Sequence, residues 1–189
     1  MSDVALLVRG SGGWGEPEVV GDEHKDHMQV HVSKADLTDP RDAGGIVAVV
    51  NSYALDAVGG GKPLPPDVRE RLVPALRDHP TTLVLLAYAG EEPVGVAVCF
   101  FGLSTFTARP LLNIHDLAVL PSYRGKGVGR ALLQAVEQHA RLAGCCKLTL
   151  EVRDDNTRAR SLYRSFGFGD FVVGDDQTPT RFLVKPLSD

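Results

Sequence analysis

The sequence predicts an α/β domain with a mixed central sheet and helices on both faces. Along the chain, segments in which apolar residues recur at the spacing of a strand alternate with segments in which they recur at the spacing of a helix. A strand over residues 111–120 passes through a glycine-rich turn into a helix over 128–143 and then into a strand over 147–152, the order of a parallel crossover. A hairpin upstream adds antiparallel strands, so the predicted sheet is mixed.

The first elements follow from local signals. Residues 29–33 alternate apolar and polar side chains, as a strand does. Asp39 and Pro40 are a typical N-cap and first residue of a helix, and the three glycines at 59–61 end it. A second helix is predicted over 66–78, interrupted in its pattern by a proline.

The later elements repeat this logic. The hairpin pairs residues 82–88 with 93–101, and Gly95 suggests a bulge. The helix after the glycine-rich turn has an apolar stripe that runs to Ala143, and Asn156 is the expected N-cap of the next helix. Two closing antiparallel strands are predicted at 168–173 and 182–185.

The domain boundary is predicted near Met28. Residues 1–27 are rich in glycine and charge and form an N-terminal extension, with a short strand expected over 4–8. The remaining residues, 28–189, form one domain of ordinary size within a chain of 189 residues.

Composition limits the partners. The formal net charge is −4, whereas binding of nucleic acid requires a basic surface, so no nucleic-acid partner is expected. The sequence has neither an apolar run of membrane-spanning length nor a secretory signal, so no membrane partner is expected. The three cysteines, Cys99, Cys145 and Cys146, are expected to be reduced thiols of a cytoplasmic protein.

The glycine-rich turn is the strongest candidate site. Arg124, Gly125, Lys126, Gly127, Val128, Gly129 and Arg130 join a strand to a helix. Glycines let backbone N–H groups approach a phosphate, and a helix N-terminus favours an anion. A dinucleotide-binding turn would need glycine or alanine where Arg130 stands, and the Gly-Lys-Ser/Thr ending of a nucleotide P-loop is missing.

Three motifs resemble the GNAT superfamily of acyl-CoA N-acyltransferases. The glycine-rich turn is similar to the family's Arg/Gln-x-x-Gly-x-Gly/Ala signature. The preceding strand, from Asp116 to Pro121, and the block from Asn156 through Tyr163 to Phe168 are similar to its neighbouring motifs. The resemblance implies a GNAT fold with splayed central strands, and acetyl-CoA as cosubstrate without a metal.

The resemblance also implies residue roles. The pyrophosphate of acetyl-CoA would lie on the turn from Arg124 to Arg130, and its pantetheine arm would run along Leu117, Ala118 and Val119 as an added strand. Asn156 and Ala159 would contact the cosubstrate. Tyr163 would return a proton to the departing CoA thiolate, whereas the alternative for this tyrosine is a buried core aromatic.

The general base stays open between His115, Asp116 and a water chain. His115 has the more suitable ordinary pKa, near ~6.5, and strand alternation should send His115 and Asp116 to opposite faces. A metal site built on His24, His27 and His31 is not expected, because no further ligand converges on them.

The expected function is an N-acetyltransferase that acts on a primary amine of a small molecule by direct attack. Two alternatives stay open: a protein or peptide acetyltransferase, and a non-catalytic acyl-CoA binding module on the same fold. Loops at 59–65 and 103–110 are expected to border the acceptor. The resemblance leaves a homodimer open, because many relatives dimerise through their closing strands.

Overall fold

Five strands and four α-helices occupy the residues that the computed structural model describes, 29–170 and Lys185. The strands are β1 (Val30–Lys34), β2 (Thr82–Ala89), β3 (Glu92–Ser104), β4 (Arg109–Val119) and β5 (Leu148–Leu150). The helices are α1 (Pro40–Leu55), α2 (Pro66–Asp78), α3 (Val128–Leu142) and α4 (Thr157–Ser165). The N-terminal extension and most of the two predicted closing strands lie outside the described residues.

The sheet has the strand order β1-β2-β3-β4-β5. The first four strands pair antiparallel, and β5 pairs parallel to β4 after the crossover through α3. The predicted mixed sheet and its parallel crossover are therefore confirmed.

Each face of the sheet carries its own apolar core. On one face α3 and α4 cover a cluster that includes Leu85, Leu112 and Leu132. On the other face α1 and α2 cover a cluster around Ile46 and Leu86. The alternate side chains of β2 and β3 divide between the two clusters, which confirms the prediction of helices on both faces.

The helix termini follow the predicted signals. Asp39 Oδ1 accepts a hydrogen bond from the Arg41 N–H at 2.7 Å, and Pro40 is the first residue of α1. Helix α3 ends at Leu142, one residue earlier than predicted, and Gly144 follows with a φ of 68°. Ala143 is therefore exposed, and its predicted place in the apolar stripe is wrong.

A bulge lies beside Gly95, as predicted. The pairs Ala87↔Gly95 and Tyr88↔Pro93 leave Val94 without an opposite residue. A Cβ at Gly95 would lie 3.0 Å from Val128 Cγ1, so the missing side chain lets α3 approach the sheet closely.

The remaining expectations concern thiols and membranes. All three cysteines are free, and Cys99 is buried. No helix within the described residues is both long and apolar enough to cross a bilayer. Within those same residues, no group of three metal-ligating side chains gathers.

Replacing Leu132 by Ala should destabilise the protein strongly. Leu132 is fully buried on α3, and a truncated core leucine costs about 2–5 kcal/mol because a cavity remains. Leu142→Ala on the same helix is the control, since Leu142 is 79% exposed and its loss should change stability by less than about 0.5 kcal/mol. Urea unfolding followed by circular dichroism measures both, and equal effects would contradict the assigned packing.

Candidate functional site

Strand β4 has an edge that β5 covers only in part. Their pairing runs from Leu112↔Leu148 to Ile114↔Leu150, whereas β4 continues to Val119. β5 ends at Leu150, so β4 has no strand beside it on this edge past Ile114, and the expected splay stays a prediction. Backbone N–H and C=O groups along this free edge suit an extended ligand that hydrogen-bonds as an additional strand.

A cleft of about 360 Å³ lies at this free edge. Its walls come from the end of α1, from β4, from the glycine-rich turn and from α4. The lining residues are Tyr53, Asp56, Val58, Leu117, Ala118, Val119, Tyr123, Arg124, Gly125, Gly127, Gly129, Arg130, Asn156, Arg158, Ala159, Leu162 and Tyr163. The cleft therefore brings together most of the predicted cosubstrate residues and Tyr163.

The N-terminus of α3 opens onto the cleft without a side-chain cap. Its N-cap is Gly127, with a φ of 85° and no capping hydrogen bond, and Gly125 also has a positive φ of 76°. The first helical hydrogen bond runs from the Ala131 N–H to the Gly127 carbonyl at 3.0 Å. The N–H groups of residues 128–130 precede it, so the helix presents them and its positive dipole end to an anion.

Helices α3 and α4 meet closely beside this N-terminus. A Cβ at Gly129 would lie 3.1 Å from Leu162 Cδ2. Arg130 Nη2 donates a hydrogen bond to Ser165 Oγ at 3.1 Å, and its guanidinium lies 5.1 Å from the centre of the Phe166 ring. Arg130 is thus held against α4 at the margin of the cleft.

Two predicted phosphate-binding side chains have partners within the protein. Arg124 Nε donates to the Val119 carbonyl at 2.9 Å, and its Nη1 donates to Asp56 Oδ2 at 2.8 Å. Lys126 Nζ lies 5.4 Å from the centre of the Tyr123 ring, and Lys126 does not line the cleft. The Val128 side chain is buried in the core and does not line the cleft.

Tyr163 projects from α4 into the cleft and is 9% exposed. Burial raises the pKa of Tyr163 to about 12, and the charges of Tyr53 and Asp116 add to the rise. Its ring centre lies 5.8 Å from that of Phe168. The phenol therefore stays protonated at neutral pH.

Asn156 begins α4 as predicted. Its Oδ1 accepts a hydrogen bond from the Ala159 N–H at 3.2 Å, which confirms the N-cap. Asn156 and Ala159 both line the cleft, so this capping hydrogen bond also fixes the cleft wall opposite β4.

The sheet has a second bulge, which lies in β4 and changes the side-chain positions of the candidate bases His115 and Asp116. Val98 pairs with Asp116 and Cys99 with Ile114, so His115 has no opposite residue on β3. Val98 belongs to the core under α1 and α2, which places Asp116 on that face.

The same face receives His115, whose ring packs edge-on against Phe100 at 5.5 Å. The expectation that His115 and Asp116 lie on opposite faces is wrong, because the bulge interrupts the alternation of side chains. His115 is exposed, whereas Asp116 is half-buried, and burial raises the pKa of Asp116 while His115 opposes that rise.

Sequence reasoning missed the contribution of α1 to the cleft. Tyr53, Asp56 and Val58 line it, although they lie far from α4 in the chain. No local pattern reports such a contact. Leu162 differs, because its helical spacing from Ala159 and Phe166 on α4 is a local signal for a residue on the inward face.

The loop at 103–110 does not border the cleft. Thr107 Oγ1 donates to Cys146 Sγ at 3.3 Å, and Arg109 Nη2 donates to the Gly144 carbonyl at 3.0 Å. These contacts place the loop at the C-terminal end of α3, whereas the cleft lies at its N-terminal end. The expectation that this loop borders the acceptor is therefore wrong.

Comparison with known proteins places this site in a family. Residues 46–168 match the Acetyltransferase (GNAT) family. The chain is 33% identical over 93 residues to thialysine N-epsilon-acetyltransferase of Mus musculus, covering 49% of this chain and 54% of the relative. It is 35% identical over 111 residues to N-alpha-acetyltransferase RimI of Mycobacterium tuberculosis, covering 58% and 63%. The chain thus spans less than two thirds of the length of these curated relatives.

A solved structure shows the same fold. An aminoglycoside acetyltransferase from an uncultured soil metagenomic sample superimposes with a TM-score of 0.64 at 19% identity, covering 82% of this chain and 99% of that one. The family match spans well over half of the chain and includes the β4 edge, the glycine-rich turn and α4. The protein therefore belongs to the Acetyltransferase (GNAT) family.

Proposed function

We propose that the protein transfers an acetyl group from acetyl-CoA to a primary amine of a small molecule by direct attack. One observation carries this proposal. A single cleft joins the free edge of β4, the uncapped N-terminus of α3 and the buried phenol of Tyr163. The first two features suit the amides and phosphates of the cosubstrate, and the third suits proton transfer.

The residues present fit acetyl-CoA. The N–H groups at the start of α3, with Gly125 and Gly127 as the open approach, would hold the pyrophosphate. The edge formed by Leu117, Ala118 and Val119 would hold the pantetheine amides. When bound, acetyl-CoA supplies an acyl group activated as a thioester.

Tyr163 is proposed to hold the proton that the leaving sulfur requires. Its raised pKa keeps Oη protonated, and its burial keeps the hydroxyl out of bulk water. Backbone N–H groups near Val119 are proposed to polarise the acyl carbonyl. Holding the amine and the acyl group side by side in the cleft would supply much of the rate.

Neither candidate base lines the cleft, and the electrostatics favour Asp116 of the two. Its charge is felt at both Tyr53 and Tyr163, whereas the exposed His115 ring packs against Phe100. A raised pKa also makes the Asp116 carboxylate a stronger proton acceptor than an ordinary aspartate. We assign the acceptance of the ammonium proton to Asp116.

Two observations support a small acceptor. Tyr53 and Val58 line the cleft from the α1 side and narrow the space beside the part assigned to acetyl-CoA. Relatives include enzymes named for thialysine and for aminoglycosides, both amine-bearing small molecules.

The function is tested with a panel of amines. We expect purified protein with acetyl-CoA to release free thiol when small primary amines, amino acids or aminoglycosides are added. A panel of peptides with free N-termini runs in parallel. Turnover with peptides alone would favour the protein-modifying alternative, and binding of acetyl-CoA without turnover of any amine would favour a binding module.

Tyr163→Phe should lower kcat by roughly 10²–10³-fold, because the substitution removes the proton donor and keeps the ring. The Kd for acetyl-CoA, measured by calorimetry, should change little. Tyr88→Phe is the matched control, since Tyr88 is also 9% exposed but donates its hydroxyl to Asp42 in the first turn of α1. An unchanged kcat in Tyr163→Phe would remove this tyrosine from the chemistry.

Gly127→Ala should weaken acetyl-CoA binding about tenfold, the effect of losing ~1.4 kcal/mol at a helix terminus. Gly144→Ala is the control at the other end of α3. Both glycines have positive φ and open space around the Cβ position, so both variants should lose a similar ~1 kcal/mol of stability. Equal loss of acetyl-CoA affinity in the two variants would contradict a phosphate site at the α3 N-terminus.

A further inference from the structure

We infer that Arg124 positions the acceptor side of the cleft, through Asp56 and the turn that follows α1. The turn comprises residues 56–61. The acceptor wall is the pair Tyr53, which lies near the end of α1, and Val58, which lies in the turn, and both line the cleft. The inference rests on the proposed function for what the cleft binds. It gives Arg124 a different task from the phosphate contact that the sequence motif predicts.

The Arg124 side chain hydrogen-bonds to two groups within the protein. Its Nε–H meets the Val119 carbonyl at 2.9 Å, which ties the side chain to the last residue of β4. Its Nη1 meets Asp56 Oδ2 at 2.8 Å, with the two side chains only 21% and 22% exposed. A charged hydrogen bond that is mostly shielded from water holds its geometry better than an exposed ion pair.

Asp56 in turn organises the chain around it. Its Oδ1 accepts the Val58 N–H at 3.4 Å, and its carbonyl accepts the N–H groups of Gly59 at 2.9 Å and Gly61 at 3.0 Å. Its own N–H donates to the Tyr53 carbonyl at 3.0 Å. One residue therefore connects the end of α1 to the whole of the turn.

The turn also packs directly on Tyr53. A Cβ at Gly59 would lie 2.0 Å from the Tyr53 carbonyl oxygen, so the two backbones are in contact. Displacing Asp56 would move this backbone, and with it Tyr53 and Val58. Arg124 therefore contacts Asp56, and Asp56 in turn contacts Tyr53.

The charge state supports a lasting ion pair. The Val58 N–H and the Arg124 guanidinium hold the pKa of Asp56 below its usual value, and Arg158 across the cleft lowers it further. Because the folded pKa is lowered, the pair is intact above the ordinary aspartate pKa and is lost only as the pH falls through the lowered value.

The test compares Arg124→Gln, Asp56→Asn and the double variant. If Arg124 positions the acceptor wall, both single variants should raise KM for the amine on the order of tenfold, the scale for loss of a charged hydrogen bond. The double variant should be no worse than either single variant, because all three lack the same contact. The Kd for acetyl-CoA, measured by calorimetry, should stay within about twofold in each.

Hydrogen exchange supplies a readout that does not depend on activity. The amides of Val58, Gly59 and Gly61 should exchange faster in both single variants. Glu137→Gln and Arg141→Gln, which break an exposed ion pair on α3, should leave these amides and the amine KM unchanged.

Two results would overturn the inference. One is a large loss of acetyl-CoA affinity in Arg124→Gln together with unchanged or tighter binding in Asp56→Asn, as expected of a phosphate-binding arginine. The other is unchanged exchange of the turn in both single variants. Failure of the proposed function would look different, since the wild-type protein would then bind no acetyl-CoA or turn over no small amine, while the exchange comparison could still be made.

Discussion

The early end of the β4–β5 pairing is the constraint on which the site depends. Pairing stops at Ile114 and Leu150, and the chain then turns away into α4, whose start is fixed by Asn156. The gap between β4 and α4 becomes a cleft with a backbone edge on one side and helix side chains on the other. The crossover through α3 closes the end of this gap with a helix N-terminus, so one topological choice supplies both recognition elements.

Most charged side chains that border the cleft are held before any ligand arrives. Arg124 is bound to Asp56 and Val119, and Arg130 is bound to Ser165. In the proposed function, binding of an anionic cosubstrate relies on backbone dipoles that the helix already orients. Such fixed dipoles need little reorganisation when an anion binds.

Sequence patterns predicted the elements well and the site in part. Local signals placed α2 at the residues observed, and the Asn156 cap and the α3 crossover were also found. The bulge at His115 was missed, because no glycine or proline marks it and its only trace is a change of phase. Leu112 and Ile114 lie on the same face as Leu117 and Val119, although strict alternation would place even-numbered and odd-numbered residues on opposite faces. The contribution of Tyr53, Asp56 and Val58 to the cleft was missed for a different reason, since only tertiary contact brings them there.

The change of phase at His115 has a consequence for how β4 can vary. Replacement of this exposed side chain leaves the register of the strand intact, so many residue types should be accommodated there. Deletion of the residue should also be accommodated, because Ile114 and Asp116 already oppose the consecutive residues Cys99 and Val98. Without His115 the strand would alternate regularly, so Leu117 and Val119 would stay in the core under α3 and Ala118 would stay on the opposite face. In genetic terms, the position is permissive both to substitution and to loss of the residue.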